Sequence, residues 1–426
     1  MPAGTRVLAA TLILLLLAAA GCRSALPPRT VPDAARLDED QRRSYLRALR
    51  ERAAGDREGA ERALAPLLAL RPLHVPSHIL RQDMARSAAD AVEVAAAYEA
   101  IAAAAPGDAS AEVLRARASV QTTEWRIGQY QGAAARDASA PWPRIALASA
   151  RADHALDRAR LAAEKTRTGH PQESARLRDE ARVSAERAVT EGERAAALAP
   201  DLAPAHAALA HARGVAADLA AEHDGQRNRL RARALDAWAR ALELDPADPR
   251  SLLGRALLLR RLRRGDEAQR DLDAAARGAP RDIEVLCARA RNLEDLARRD
   301  DAVAAWRDAA TAAPADPEVR ADLGRALGSA DRWAEALEEY RRADDGFRVA
   351  DGPRWKARRG LATALAQLGL ERGEPALLEE ARVHLRAYRV EGGLDRDWEE
   401  ELATLLGEET APPQAAPTPA AAPKEP

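Results

Sequence analysis

The chain has 426 residues, 47% of them hydrophobic and 31% charged, with a formal net charge of −2, which is length enough for two or three domains. Aromatics reach only 3% and Phe347 is the single phenylalanine, so the apolar share is mostly alanine and leucine, the composition of closely packed helices. Near-neutral charge excludes a bulk electrostatic case for nucleic acid, and lysine stands only at Lys165, Lys356 and Lys424, a bias that a GC-rich genome explains.

Residues 1–21 read as a leader. Arg6 supplies a positive start, Val7 to Ala20 is apolar apart from Thr11, and small residues precede Cys22. The stretch is shorter than the ~20 residues of a spanning helix and fits a secretory signal. Ala19-Ala20-Gly21-Cys22 resembles a bacterial lipobox, which implies lipidation of Cys22. Ordinary cleavage after Ala20 would instead leave a plain thiol. Two or three acyl chains, at ~0.8 kcal/mol per buried methylene, hold a protein on a bilayer. Arg23 rather than Asp follows the cysteine, and by resemblance to diderm lipoproteins this implies the outer membrane, facing the periplasm. Residues 22–40 form a proline-bearing linker, and no later stretch approaches eighteen uninterrupted apolar residues.

Prolines then punctuate apolar helical runs. Pro72 and Pro106 are spaced by 34 and delimit helix pairs over 41–74 and 75–108, with Pro66 expected to kink a second helix. Residues 109–144 match poorly, and Pro141-Trp142-Pro143 reads as an interruption. A lengthened pair follows over 145–202, so that 109–202 is a divergent helical segment. Residues 203–350 resume the pattern after an insertion at Glu222-His223-Asp224-Gly225, near 222–230. Pro246, Pro280 and Pro314 are again spaced by 34 and bound pairs over 249–282, 283–316 and 317–350. In the last, Arg348 replaces the proline, and Gly346 and Asp351-Gly352 are the expected stops. A C-terminal pair lies within 353–392 and a capping helix, Leu394–Leu406, within 393–410. Residues 411–426, rich in Pro and Ala, lack the content to fold.

The register is fixed by side-chain size. Twelve residues before each proline stands Ala60, Val94, Ala234, Ala268 or Ala302, and eight before it Leu64, Tyr98, Trp238, Leu272 or Trp306. This pattern resembles the tetratricopeptide repeat, a unit of the same length that folds as two antiparallel helices. The resemblance implies an all-α, right-handed superhelical solenoid of antiparallel helix pairs, with small residues at repeat positions 8, 20 and 27 where helices cross and a bulky one at 24. No unit buries its apolar face alone, so units stack. A heptad coiled coil would need apolar residues every 3.5 positions without a proline every 34.

No catalytic or nucleotide-binding signature is present: GxxxxGK[ST], GxGxxG, GxSxG, HExxH and CxxC are all missing from the sequence. His74 and His78 are spaced i, i+4 but lack a third ligand, and His206 and His211 fall on different faces. Cys287 reads as an inert helix thiol. No metal, cofactor or catalytic residue is expected. Two arginine runs, Arg227/Arg229/Arg231/Arg233 and Arg260/Arg261/Arg263/Arg264, fit either an anion patch or an arginine-rich surface balanced by Asp236, Asp266 and Glu267.

The resemblance places a groove on the first helix of each unit, at positions 2, 5, 9, 12 and 13. In the best-matching units this selects Arg250, Leu253, Leu257, Arg260 and Arg261, then Glu284, Arg291 and Glu294, then Arg325. Leu253 and Leu257 share one face, and form either an open apolar strip flanked by arginines or part of the core beneath the preceding unit. The sequence reads as a non-enzymatic, membrane-anchored scaffold of the bacterial envelope that binds a protein or peptide partner. The rival readings are an envelope or polysaccharide-processing enzyme or accessory with chemistry in 109–202, and a purely structural lipoprotein.

Overall fold

A computed structural model describes residues 37–84, 88–220, 225–350, 352–391 and 395–407. The leader with Cys22, most of the linker, residues 222–224 of the insertion, Asp351, Leu394 and the 411–426 tail lie outside them. Among the described residues the structure holds nineteen helices and no strand, and no helix is long and apolar enough to cross a membrane. The chain divides into two compact units between Val285 and Leu286.

The N-terminal unit is built of consecutive helices: α1 (Glu39–Ala53), α2 (Arg57–Leu70), α3 (Val75–Gln82), α4 (Ala88–Ala104), α5 (Ala109–Ala118) and α6 (Thr123–Arg136). Then come α7 (Pro141–Arg167), α8 (Pro171–Leu198), α9 (Ala203–Leu219), α10 (Gly225–Leu244), α11 (Pro249–Arg261) and α12 (Gly265–Gly278). The boundary falls inside α13 (Ile283–Asp295). The C-terminal unit continues with α14 (Arg299–Ala312), α15 (Pro317–Ser329), α16 (Trp333–Val349), α17 (Trp355–Arg372), α18 (Pro375–Val390) and α19 (Arg396–Leu405).

The punctuation has a local cause. Asp248 accepts the backbone N–H of Ser251, and Pro249 follows at the first helical position, where no intrahelical donor is lost. Asp316 and Pro317 repeat the device. Pro141 also stands at a first helical position, there without a side-chain cap on Ala140, and Pro143 follows within the first turn; with Trp142 buried, both belong to the start of α7 and do not interrupt a unit. Helix α2 runs through Pro66. Gly346 is not a stop either. It lies inside α16, where a Cβ would come within 3.0 Å of Pro317, so its bareness admits the neighbouring helix.

The size register holds in the packing. Ala268, Ala302 and Ala336 at position 20, and Ala275, Ala309 and Ala343 at position 27, are all buried. Leu272, Trp306 and Tyr340 fill position 24. Tyr340 lies between two glycines: a Cβ on Gly324 would stand 2.9 Å, and one on Gly360 2.1 Å, from its ring.

The pair α7/α8 departs from this plan, with 27 and 28 residues. Buried positions on α7 are Ile145, Ala148, Ala152, Ala155 and Ala162, and those on α8 include Leu177, Ala181, Ser184, Ala188 and Ala195. Steps of three and four residues make a heptad seam, so the coiled-coil packing that the proline spacing argues against for the whole chain is present in this one hairpin. The helices approach closely enough for Ser174 Oγ to donate to the Ala162 carbonyl at 2.7 Å and Ser184 Oγ to the Arg151 carbonyl at 2.9 Å.

Candidate functional site

In the N-terminal unit α1, α3, α5, α6, α7 and α9, with the turns before α11 and α13, line a cavity of about 640 Å³. Its floor is apolar, from Leu49, Ile79, Val113, Trp142 and Ile145. The lining follows the repeat. Tyr45, Ile79 and Val113 are successive steps of 34 at position 5, and Leu49, Asp83 and Arg117 are the same steps at position 9. The groove register therefore continues into 109–142, where Ala116 at position 8 is fully buried. Sequence reasoning passed over these residues because Gly128 and Gly132 stand at positions 20 and 24 of that unit, removing its size signal. Stepping by 34 from Tyr45 and Leu49 would have found them.

One edge of the cavity is closed by charge. Asp83, at the C-terminal cap of α3, is paired with Arg117 at 2.6 Å and Arg52 at 3.8 Å, and Arg250 reaches it from the start of α11. Burial pushes the Tyr45 phenol well above its ordinary range, with Asp248 and Asp245 adding to the effect. The lining carries Arg52, Arg117, Arg126 and Arg250 against Asp83, Asp153, Asp245, Asp248 and Asp282, four positive charges to five negative, so it is nearly neutral.

The groove residues selected from the sequence fall into three situations. Arg250 lines the cavity and is committed to Asp83. Leu253, expected to offer an open apolar strip, is buried at 7% exposure because α11 packs against α9 and α10, and Leu257 is half-buried. The strip is core at Leu253. Arg261 pairs with Asp218, Arg260 is half-buried, and Glu284 is exposed. In the C-terminal unit Arg291, Glu294 and Arg325 are joined through Asp322: Arg291–Asp322 is 3.2 Å, Arg325–Asp322 3.1 Å and Arg325–Glu294 2.9 Å. Trp306 donates its indole N–H to Glu294 at 3.0 Å. These groove charges are largely satisfied by one another.

The long hairpin, together with α6, does assemble a serine, a histidine and an acid. His154 Nδ1 lies 3.2 Å from Ser184 Oγ, and its Nε2 is 3.4 Å from Glu124. The polarity is wrong for nucleophile activation. Arg158 donates to His154 Nε2 at 3.1 Å, which assigns the ring proton to Nδ1. The histidine then donates to Ser184, whose own proton goes to the Arg151 carbonyl. A base must instead accept from its nucleophile.

His74 and His78 are both buried. His74 Nδ1 meets Ser77 Oγ at 2.8 Å, and His78 bridges the Pro72 carbonyl at 2.8 Å and the Tyr98 hydroxyl at 3.0 Å. Burial lowers each to about 4. They tie a turn to two helices. Burial raises the Cys287 thiol to about 11, far from a reactive thiolate. No group of three or more metal-ligating side chains occurs among the described residues.

No family model and no curated protein matches the chain. Solved structures resemble it distantly. A thermophilic TPR protein of Thermus thermophilus is 18% identical over 56% of this chain and 98% of its own, with a TM-score of 0.37. Pseudomonas aeruginosa pilF is 16% identical over 60% and 99%, with a TM-score of 0.40. MamA of Desulfovibrio magneticus RS-1 is 16% identical over 47% and 98%, with a TM-score of 0.35. The fold stands on the register and helix pairing described above. It is tetratricopeptide-like.

Proposed function

We propose that the protein is a non-enzymatic, membrane-anchored scaffold of the bacterial cell envelope that holds a segment of a partner polypeptide in the concave cavity of its N-terminal unit. The observation that carries this reading is the cavity itself: about 640 Å³, apolar at its floor and lined at successive steps of 34. That volume lies within the roughly 300–1,000 Å³ of ligand sites. The occupant is an amphipathic segment whose apolar side chains fill the floor between Ile79 and Trp142. Because the lining is nearly neutral, capture depends only weakly on salt. The anchor is the lipidated Cys22, with Arg23 directing the protein to the outer membrane.

A photo-crosslinking residue at Ile79, introduced into the full chain in its own envelope, tests the cavity against the same residue at the exposed Val349. A discrete adduct from position 79 alone is expected. Equal labelling from both positions, or none at 79, refutes the cavity as the site. The anchor has its own test. Cys22→Ala should release the protein from the membrane fraction, and a wild type found soluble without acyl mass ends that part of the proposal.

A further inference from the structure

The two arginine runs, separate in the sequence, meet in the fold. Arg227 and Arg231 are one turn apart on α10, and Arg261 ends α11. All three act on Asp218, near the end of α9. Arg261 is ion-paired with it. Burial raises the Asp218 carboxyl while the charges of Arg261, Arg231 and Arg227, in that order, pull it back. Three guanidiniums against one carboxylate leave two positive charges, and Arg261 is the one Asp218 engages.

The other two are incompletely used. Arg227 gives one Nη to the Ala220 carbonyl, but the Nε atoms of both Arg227 and Arg231 are buried without a hydrogen-bond partner among the described residues. Buried donors are almost always paired, so two such donors one helical turn apart ask for an acceptor. Arg264 shows what a satisfied neighbour looks like, with Nε and Nη2 forked onto Glu267 at 2.6 and 2.7 Å. None of these arginines lines the cavity, so the site is independent of the partner groove.

We propose that Arg227 and Arg231 form a binding site for a phosphate group, either free phosphate or the headgroup of a phospholipid. Each guanidinium presents parallel N–H donors that match the oxygen pairs of a tetrahedral oxyanion. Two such forks at i, i+4 suit phosphate, which has oxygens for both. A lone carboxylate would occupy one. The positive end of α10 beside Arg227 adds to the attraction.

The test uses the full chain in neutral detergent, titrated calorimetrically with inorganic phosphate at fixed ionic strength. Arg227→Gln with Arg231→Gln should weaken binding at least tenfold, while Arg264→Gln should leave it unchanged. Arg231→Gln alone gives the same direction should the double variant fold poorly. Micelles doped with phosphatidic acid separate the sources. Competition with inorganic phosphate through the same arginines identifies a headgroup site, and failure to compete identifies a site for soluble phosphate. Equal phosphate binding by wild type and the double variant overturns the proposal, as does a wild type that binds neither probe. It is also overturned if binding requires Glu222→Gln with Asp224→Asn, since the chain's own acids would then hold the arginines.

Discussion

The repeats over 249–350 and the long hairpin α7/α8 solve one problem, close helix packing, by opposite allocations of side-chain volume. The repeats place one bulky residue per unit, Leu272, Trp306 or Tyr340, in a frame of alanine and glycine. The hairpin has no bulky residue in the middle of its seam, where Ala152, Ala155, Ala185 and Ala188 meet and serine hydroxyls bond to backbone carbonyls. In the first case stability is concentrated in a few large buried groups. In the second it is spread along many small contacts, and the seam has no spare volume. Single truncations should therefore hurt the repeats most, and single enlargements the hairpin.

The largest effect is expected at Trp306, which is fully buried and donates to Glu294. Trp306→Ala should cost about 3–5 kcal/mol, read as lost amide protection over α14 and α15, with α7 and α8 unaffected. Protection unchanged in α14 would contradict the concentration of stability at position 24.

A pH change separates another N-terminal region from the repeats. None of the eight histidines falls within 249–350, whereas His74 and His78 titrate near 4 when folded, against an ordinary 6.5. Their folded pKa is depressed, so their contribution is complete above pH 6.5 and is lost as pH falls through 4. Each histidine contributes at most about 3 kcal/mol by linkage. Hydrogen exchange between pH 6.5 and 4 should show α3 and α4 opening before α14 to α16. Simultaneous opening would remove the histidines from the account.

The next step down is Ala188→Leu. Adding three carbons to a seam position with no exposure should cost about 1–3 kcal/mol by overpacking and open the Ser184–Arg151 bond. Ala290→Leu, at a buried crossing of the regular repeats, has a similar expected cost. A hairpin variant as stable as wild type by urea unfolding would show that the seam has slack.

Legibility in the sequence follows the same division. Where a unit contrasts small and bulky residues, as at Ala302 and Trp306, its register can be read directly. Alanine against alanine gives no contrast, so the length of the hairpin was readable but its heptad seam was not. The groove rule is legible too, but its register is plain only in the units with the clearest size signal. It therefore selected Leu253, which packing buries, and missed Tyr45, Ile79 and Val113, which line the cavity. The Asp83 cluster had no sequence signal, because Arg250 stands 167 residues from the carboxylate it joins.

The smallest effect lies in the turns within each pair, and here the two regions share a motif but not a residue. In α7/α8 the chain reverses at Gly169, with φ of 79°, and His170 N–H returns to the Lys165 carbonyl at 2.8 Å. The repeats make the same closure at Arg263, Ala297 and Asp331, each one repeat beyond the last, with φ of 60°, 56° and 58°. At the middle one Arg298 N–H returns to the Leu293 carbonyl at 2.9 Å. A left-handed conformation costs an L-residue about 1–2 kcal/mol, and glycine nothing. Against this, glycine loses more backbone freedom on folding, by about 0.4–1 kcal/mol. The conformational term is the larger, so Ala297→Gly should stabilise the C-terminal unit by about 0.5–1 kcal/mol, while Gly169→Ala should destabilise the hairpin by a similar amount. Urea midpoints of the two variants should move in opposite directions with unchanged slopes. Movement in the same direction would mean that the two turns are not the same motif.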